Sequence, residues 1–364
     1  MRVVTILGTR PEIIRLSLVI PKLDAACDHK IIHTEQNYDY ELNQLFFQQL
    51  RVRKPDFFLG AKGTFAEQLS VICTSLEKLL IELQPDRFLV LGDTNSSLGA
   101  IIAKRLGIPV FHMEAGNRSF DNRIPEEVNR RIIDACSDVW MPYTERSRQN
   151  LLAEGVPGRR IYVTGNPIYE VISHFEKEIN EAAALSEHAL RPKEYFLATL
   201  HRAENVDHKE RLEQFFGGFE SVSDLYKVPL ILSCHPRLAK RIKEFNITFD
   251  SSKIRLQKPF GFFEFLQLEK NAFCVLSDSG TVQEECAILG VPNVTVRDVT
   301  ERPETMECGT NYLSGANRSS IERGVRLAVS GTSARSSAPQ EYLRLDVSDT
   351  VAKIVTSYLH GHAS

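Results

Sequence analysis

The 364-residue chain has no long apolar run: no stretch approaches the roughly 20 residues that a bilayer-spanning helix needs, so a membrane protein is not expected. It has no surplus of one charge either. With 44 Lys and Arg against 47 Asp and Glu, its net charge of −3 argues against bulk attraction to nucleic acid or to a membrane surface. Cysteines are sparse and unpatterned. The seven (Cys27, Cys73, Cys136, Cys234, Cys274, Cys286, Cys308) are an odd set with no C-x-x-C pair and no histidine at zinc-ligand spacing, so neither a disulfide framework nor a structural metal is expected. Reduced thiols in the cytoplasm are the simplest reading. Neither G-x-G-x-x-G nor G-x-x-x-x-G-K-[ST] occurs, which removes the fingerprints of NAD binding and of P-loop ATP binding and leaves no cofactor to expect. No low-complexity tract or short repeat is present. The opening Met1-Arg2-Val3-Val4-Thr5-Ile6-Leu7 runs into Gly8-Thr9-Arg10-Pro11-Glu12 without a cleavage-like site and reads as a first strand, not a signal peptide.

What is present is a rhythm. Short β-rich apolar runs alternate with longer segments of helical period, the pattern of βαβ units and a mostly parallel sheet. Strands are expected at 3–7, 30–33, 88–91, 110–113, 139–141 and 161–163, and again at 196–199, 230–233, 254–256, 274–276, 293–296 and 311–313. The length suits two cores. The expected fold is therefore α/β, with two Rossmann-like, doubly wound parallel-sheet domains. The boundary is placed after Thr164-Gly165-Asn166-Pro167, giving domains 1–167 and 168–343, with 344–364 as a terminal segment. A surface loop is expected at 330–339, and a final amphipathic helix at 346–359.

In open parallel sheets ligands bind beyond the carboxyl ends of the strands, and the residues just after each apolar run are unusually polar here. The first half offers Gly8-Thr9-Arg10-Pro11-Glu12, Gly92-Asp93-Thr94-Asn95-Ser96-Ser97 and Glu114-Ala115-Gly116-Asn117-Arg118. The second offers His201-Arg202-Ala203-Glu204-Asn205, Cys234-His235-Pro236-Arg237 and Ser277-Asp278-Ser279-Gly280-Thr281. Two facing sets of such loops would build one interdomain cleft.

Each residue has a bland reading beside the functional one. The turn at Ser279-Gly280-Thr281 offers helix N–H groups to a phosphate, yet Thr281 and Glu284 also fit a capping box. Glu285, one turn into that helix, suits a ribose diol. Arg10 is either a cation facing a pyrophosphate or a surface arginine at a helix start. Asp93 taken alone is favoured as an N-cap. Glu114 ends an apolar strand, where an unpartnered carboxylate would be costly. Glu126 and Glu127 follow Pro125 at a helix start, which suits the helix dipole as well as catalysis. His201 and His235 are acid–base or phosphate-binding candidates, although a single histidine is more often structural.

Taken in order along nearly the whole chain, these segments resemble the non-hydrolysing UDP-N-acetylglucosamine 2-epimerases. The carrying motifs are Gly8-Thr9-Arg10-Pro11-Glu12, Gly92-Asp93-Thr94, Glu114-Ala115-Gly116, Pro125-Glu126-Glu127-Val128-Asn129-Arg130, His201-Arg202, Ser279-Gly280-Thr281-Val282-Gln283-Glu284-Glu285 and Arg297 through Arg302-Pro303-Glu304. The resemblance implies the GT-B fold, with the terminal helix crossing back to the first domain. It implies that Arg10, His201, Ser279, Gly280, Glu285 and Arg302 hold UDP, with Arg15 standing where the family usually has lysine. Asp93, Glu114 and Glu126 become the catalytic carboxylates, with His201 near the leaving diphosphate. It also implies a UDP-sugar as substrate, UDP as the departing and returning group, interconversion of UDP-GlcNAc and UDP-ManNAc for surface-polysaccharide precursors, and a homodimer.

Three departures bear on the sugar and on control. The link from Glu114 to Glu126 is shorter than usual in the family. Thr34-Glu35-Gln36-Asn37-Tyr38-Asp39 replaces a Gln-His-Arg stretch associated with allosteric activation. Lys258-Pro259-Phe260-Gly261-Phe262 lacks a customary glutamine, although Phe265 is retained as a nucleotide-side residue. With Leu345-Asp346-Val347-Ser348-Asp349-Thr350, these resemble the branch acting on UDP-2-acetamido-2,6-dideoxy-L-talose to make UDP-N-acetyl-L-fucosamine. Rival classes are a GT-B glycosyltransferase, a hydrolytic epimerase and a non-catalytic sugar-nucleotide sensor.

Overall fold

Val3, Val4, Ile6 and Leu7 have no exposed surface, so the strand that carries them, β1 (Arg2–Leu7), lies inside a sheet covered on both faces. The computed structural model describes residues 1–36, 40–330 and 337–358. It divides into two units, Met1–His174 with Glu341–Ser364, and Phe175–Gln340. The sequence boundary at 167 thus moves to 174, because the helix Ile168–His174 belongs with the first unit; the second crossing lies at 340 and not 343. The loop expected at 330–339 falls largely outside the described residues, as do 37–39 of the altered Thr34 stretch.

In the first unit, β1, β2 (Asp28–His33), β3 (Phe57–Phe58), β4 (Arg87–Leu91), β5 (Val110–Met113) and β6 (Val139–Met141) form a parallel sheet in the order 3-2-1-4-5-6. The helix Phe65–Leu83 covers one face. Thr64 and Glu67 form a capping box at its start, and of the buried Ile72, Leu76, Leu80 and Leu83, which recur at near-helical period, the last three pack with Ile6 and Phe88.

The second unit repeats the plan with β7 (Phe196–Leu200), β8 (Leu230–Cys234), β9 (Ile254–Gln257), β10 (Cys274–Ser277), β11 (Asn293–Thr295) and β12 (Asn311–Leu313), in the order 12-11-10-7-8-9. Counted from its own first strand this is again 3-2-1-4-5-6. The order reverses between β1 and β4 in one unit and between β7 and β10 in the other. Each reversal opens a crevice at the carboxyl ends, where such sheets take their ligands.

Two strand expectations differ from the structure. The run 161–163 is not a strand: Tyr162 and Thr164 donate to the carbonyls of Trp140 and Pro142, but Pro142 has no N–H to return, and one bridge at Ile161 remains. The two-residue β3 is too short to show a period. Among the described residues no helix is long and apolar enough to cross a membrane.

The terminal helix is Val347–Thr356, shorter than the expected 346–359, of which Leu359 lies outside the described residues. It buries Val351 and Val355 and packs on the helix Val19–Ala26, with Lys22 Nζ 2.8 Å from Asp349 Oδ1. Ser348 donates its N–H and hydroxyl to Glu170 at 2.8 and 2.5 Å. The chain is led there past Gly165, whose φ of +86° and neighbouring Glu341 carbonyl exclude a side chain; a Cβ would sit 2.8 Å from that oxygen. Gly165→Ala is expected to lower unfolding free energy in urea by about 1–3 kcal/mol, and to speed proteolysis within the terminal helix.

Candidate functional site

Both switch points are tied by buried carboxylates. In the first unit Gly8 leaves β1 in close contact with Thr34 and Ser96: a Cβ there would lie 2.0 and 2.3 Å from their hydroxyl oxygens. The helix Arg10–Leu16 starts at once, and its Glu12 accepts from the Gly8 N–H at 2.9 Å, the Thr9 N–H and hydroxyl at 2.8 Å each, and the Thr94 hydroxyl at 2.9 Å. Glu12 therefore joins the β1 exit to the β4 exit. Burial pushes its carboxyl up to about 7, against the opposing pull of those hydrogen bonds.

Leu91 pairs with Met113, so Asp93 and Glu114 emerge from adjacent strand ends. Glu114 is buried and adopts φ +65°, a left-handed conformation costly for a non-glycine residue and a mark of functional sites. Arg15 Nη1 lies 2.5 Å from Glu114 Oε2, and Asn117 donates to Oε1 at 3.2 Å. The Arg15 guanidinium also stacks 5.7 Å from the Tyr143 ring centroid.

Asp93 is not an N-cap: the short helix Ser96–Gly99 is preceded by Asn95, and Asp93 Oδ2 is paired with Arg130 Nη2 at 2.6 Å. Arg130 also holds Glu127 at 2.9 Å, and Asn129 donates to the Asp93 carbonyl at 2.9 Å. These bonds dock the start of the helix Pro125–Cys136 against the Asp93 turn, and Glu126 is in its first turn. Glu127, though buried, is held low by the Ser119 N–H and by Arg130, so it serves structure. Glu126 is half-buried and makes no ion pair or side-chain hydrogen bond among the described residues. Arg10, the first residue of its helix, is half-buried with its guanidinium 5.8 Å from the Phe46 ring centroid.

In the second unit the switch point places His201, just past β7, beside Asp278, just past β10. Asp278 is fully buried. Burial alone would raise its carboxyl, but the His201 imidazole 2.9 Å away and hydrogen bonds from the Arg202 N–H and Asn205 hold it well below the usual range. His201 is exposed and spends Nδ1 on Asp278, an ion pair that fixes the orientation of its ring.

Next to it the helix Gly280–Leu289 begins with Ser279 as N-cap, without a side-chain cap bond, and its first residues, Gly280 and Thr281, are half-buried. The Thr281–Glu284 capping box does not form: Thr281 bonds Ser279 at 3.0 Å, and Glu284, buried, accepts from Arg302 Nε. Glu301 completes a buried group with Arg297 at 2.8 Å, Arg202 at 3.5 Å and Arg302 at 3.6 Å. Three guanidinium groups thus meet two buried carboxylates beside a helix N-terminus, an arrangement suited to an anion. Gly280 admits Glu301 to this group, since a Cβ would lie 2.6 Å from Glu301 Oε1.

The remaining candidates are placed less centrally. His235 is the N-cap of the helix Pro236–Glu244, accepting from the Arg237 N–H at 3.2 Å. Phe265 packs partly buried against the core. Glu285 is buried one turn into the helix Gly280–Leu289. Sequence reasoning assigned no individual role to Glu12, Arg130 or Asp278, although the polar exits and motifs it singled out contain all three.

Residues 22–356 match the family described as UDP-N-acetylglucosamine 2-epimerase. The chain is 44% identical over 338 residues to UDP-N-acetylglucosamine 2-epimerase of Methanocaldococcus jannaschii, covering 90% of this chain and 92% of that protein. It is 34% identical to UDP-2,3-diacetamido-2,3-dideoxy-D-glucuronate 2-epimerase of Pseudomonas aeruginosa, covering 91% and 93%. Its structure is similar to the crystal structure of the M. jannaschii UDP-GlcNAc 2-epimerase in complex with UDP-GlcNAc and UDP, with a TM-score of 0.92 and 40% identity over 98% of this chain and 99% of that one. The two Rossmann-like units are those of the GT-B type.

Glu12 carries the testable consequence. Its raised titration means that the unfolded state ionises first, so stability is lost as pH climbs from about 4.5 through about 7. Between about pH 5 and pH 8 this loss is on the order of 2 kcal/mol in urea unfolding, and Glu12→Gln is expected to remove that component of the pH dependence.

Proposed function

The chain belongs to the UDP-N-acetylglucosamine 2-epimerase family, an isomerase family, and we propose that it interconverts UDP-GlcNAc and UDP-ManNAc by eliminating UDP and adding it back. The C2 hydrogen of an N-acetylhexosamine is not acidic enough for simple enolisation. Anti elimination solves this: a base takes the C2 proton, the C2–H electrons form C1=C2, and the C1–O bond breaks to release UDP. UDP then re-adds to the 2-acetamidoglycal while a proton reaches C2 from the opposite face.

Two faces require two proton-handling groups. The observation that carries this reading is the set Asp93, Glu114 and Glu126 gathered at the β4 and β5 exits, two of them locked by Arg130 and Arg15 and the third without an ion partner. A sensor or a plain binding module has no need of such a set. On the second unit, the N-terminus of the Gly280 helix, Ser279, Thr281 and Arg302 hold the diphosphate, and His201, aimed by Asp278, gives it a hydrogen bond as charge develops. Arg10 and Arg15 add positive charge, Glu285 takes the ribose, and His235 and Phe265 complete the nucleotide side. No cofactor enters this scheme. Free thiols at all seven cysteines support a cytoplasmic setting, and a homodimer working on surface-polysaccharide precursors completes the proposal.

Incubation of the pure protein with UDP-GlcNAc in D2O, followed by NMR, is the test. Deuterium at C2 with UDP-ManNAc as product is expected; free sugar would indicate a hydrolytic enzyme, and an unchanged substrate would overturn the assignment. The same experiment with UDP-2-acetamido-2,6-dideoxy-L-talose decides the sugar. Glu126→Gln is expected to leave UDP binding within about threefold while lowering epimerisation by about a hundredfold or more. Glu114→Gln should do the same at an added stability loss, because Arg15 is left buried beside a neutral group. Retained turnover in both variants would remove these carboxylates from the reaction.

A further inference from the structure

One buried carboxylate of the first unit reaches the chain on both sides of the strained Glu114. Asp134 lies in the last turn of the helix Pro125–Cys136 and is buried. Its Oδ1 is 2.8 Å from Nδ1 of His112, two residues before Glu114. Its Oδ2 accepts from the N–H of Gly116, two residues after Glu114, at 3.2 Å. The segment 112–116 is thus held at both ends by a single side chain. The other ring nitrogen of His112, Nε2, is 3.0 Å from the Gly92 carbonyl oxygen, next to Asp93. Asp134 and His112 thereby join the β4 exit, the β5 exit and the helix that carries Glu126 in its first turn.

Asp134 is itself fixed. Arg118 Nη2 donates to its Oδ2 at 2.7 Å, and the same guanidinium holds the Asn117 carbonyl at 2.7 Å and Glu154 Oε1 at 2.9 Å. The Trp140 indole donates to the Asp134 carbonyl at 3.0 Å. Burial alone would raise the Asp134 carboxyl, but His112 and Arg118 hold it below the usual range. A charge kept out of water and met by three partners has one orientation. That matters for Glu114, because a non-glycine residue at φ +65° persists only where its surroundings over-determine it. Arg15 and Asn117 fix the Glu114 carboxylate and not its backbone. The sheet holds the Glu114 N–H on the Met141 carbonyl at 3.1 Å, and beyond that bond Asp134 takes over the hold on the chain.

We propose that Asp134 and His112 are positioning residues for the proton transfers: Asp134 keeps Glu114 in its strained conformation, and His112 carries the restraint to the Asp93 turn. The proposal rests on the reading of Asp93 and Glu114 as proton-handling groups. Both residues are buried beneath the turns they hold, so they act on the placement of the two carboxylates and not on the nucleotide. A turn that relaxes costs turnover, while ground-state binding of UDP is kept.

The test is steady-state epimerisation of UDP-GlcNAc, with titration calorimetry of UDP, for wild type, His112→Phe, Asp134→Asn, Glu114→Gln and Asp93→Asn. Trp140 is the single tryptophan and is buried against Asp134, so its emission reports whether this region is folded in each variant. His112→Phe and Asp134→Asn are expected to keep that emission and to lower kcat by about a hundredfold, with KM and the Kd of UDP within about threefold of wild type. Folded variants that lose less than about tenfold in kcat, or whose loss lies in KM, would overturn the proposal; inactivity of Glu114→Gln would then leave the carboxylate reading standing. Wild-type turnover in both Glu114→Gln and Asp93→Asn would remove that reading and the proposal with it. Should His112→Phe or Asp134→Asn show an unfolded Trp140 signal, His112→Gln, whose amide keeps one of the two contacts, decides. A kcat lowered about tenfold or more at unchanged KM supports the proposal, and a smaller loss overturns it.

Discussion

A parallel sheet covered on both faces has one place for polar chemistry, the carboxyl ends of its strands, and the charges gathered there in this protein are largely out of water. A charge removed from water must be paired, hydrogen-bonded or neutralised. The rest of the site follows from that constraint. Glu12 is met by four donors, Glu114 by Arg15 and Asn117, Asp93 by Arg130, Asp278 by His201 and backbone N–H groups, and Glu284 with Glu301 by three arginines. Each pairing fixes a side chain in one orientation before any ligand arrives, which is what electrostatic preorganisation requires.

The two units use one plan for opposite tasks. Each reverses its strand order between its first and fourth strands, and each puts a buried carboxylate under that crevice. In the first unit the groups at the rim of this arrangement are further carboxylates, which suits the proton transfer proposed for it. In the second they are a helix N-terminus, a histidine and guanidinium groups, which suits the anion retention proposed for it. The same topology thus supports acid–base work or anion retention according to which residues follow the strands.

Legibility in the sequence depended on how local the signal was. All six strands of the second unit and five of the first were visible as apolar runs, and Asp93, Glu114 and His201 stood out because they follow such runs at once. The two-residue β3 has no period to read. The run at 161–163 looked like a strand because apolar pattern says nothing about Pro142, the neighbour across the ladder that cannot donate. Asp93 was ambiguous for the same reason: Arg130, which decides between cap and ion pair, lies a helix away.

What the sequence determined by itself was the alternation of strand and helix, the polar exits and, through motif order, the family. Those are properties of neighbours along the chain. The tertiary structure alone decided which charges are paired: Arg15 meets Glu114 across 99 positions, and Asp278 meets the His201 turn across 77. Such partners are brought together by sheet order, in which strands far apart in sequence lie side by side. The physical reason is that burial, which makes each pairing obligatory, exists only once the sheet has formed.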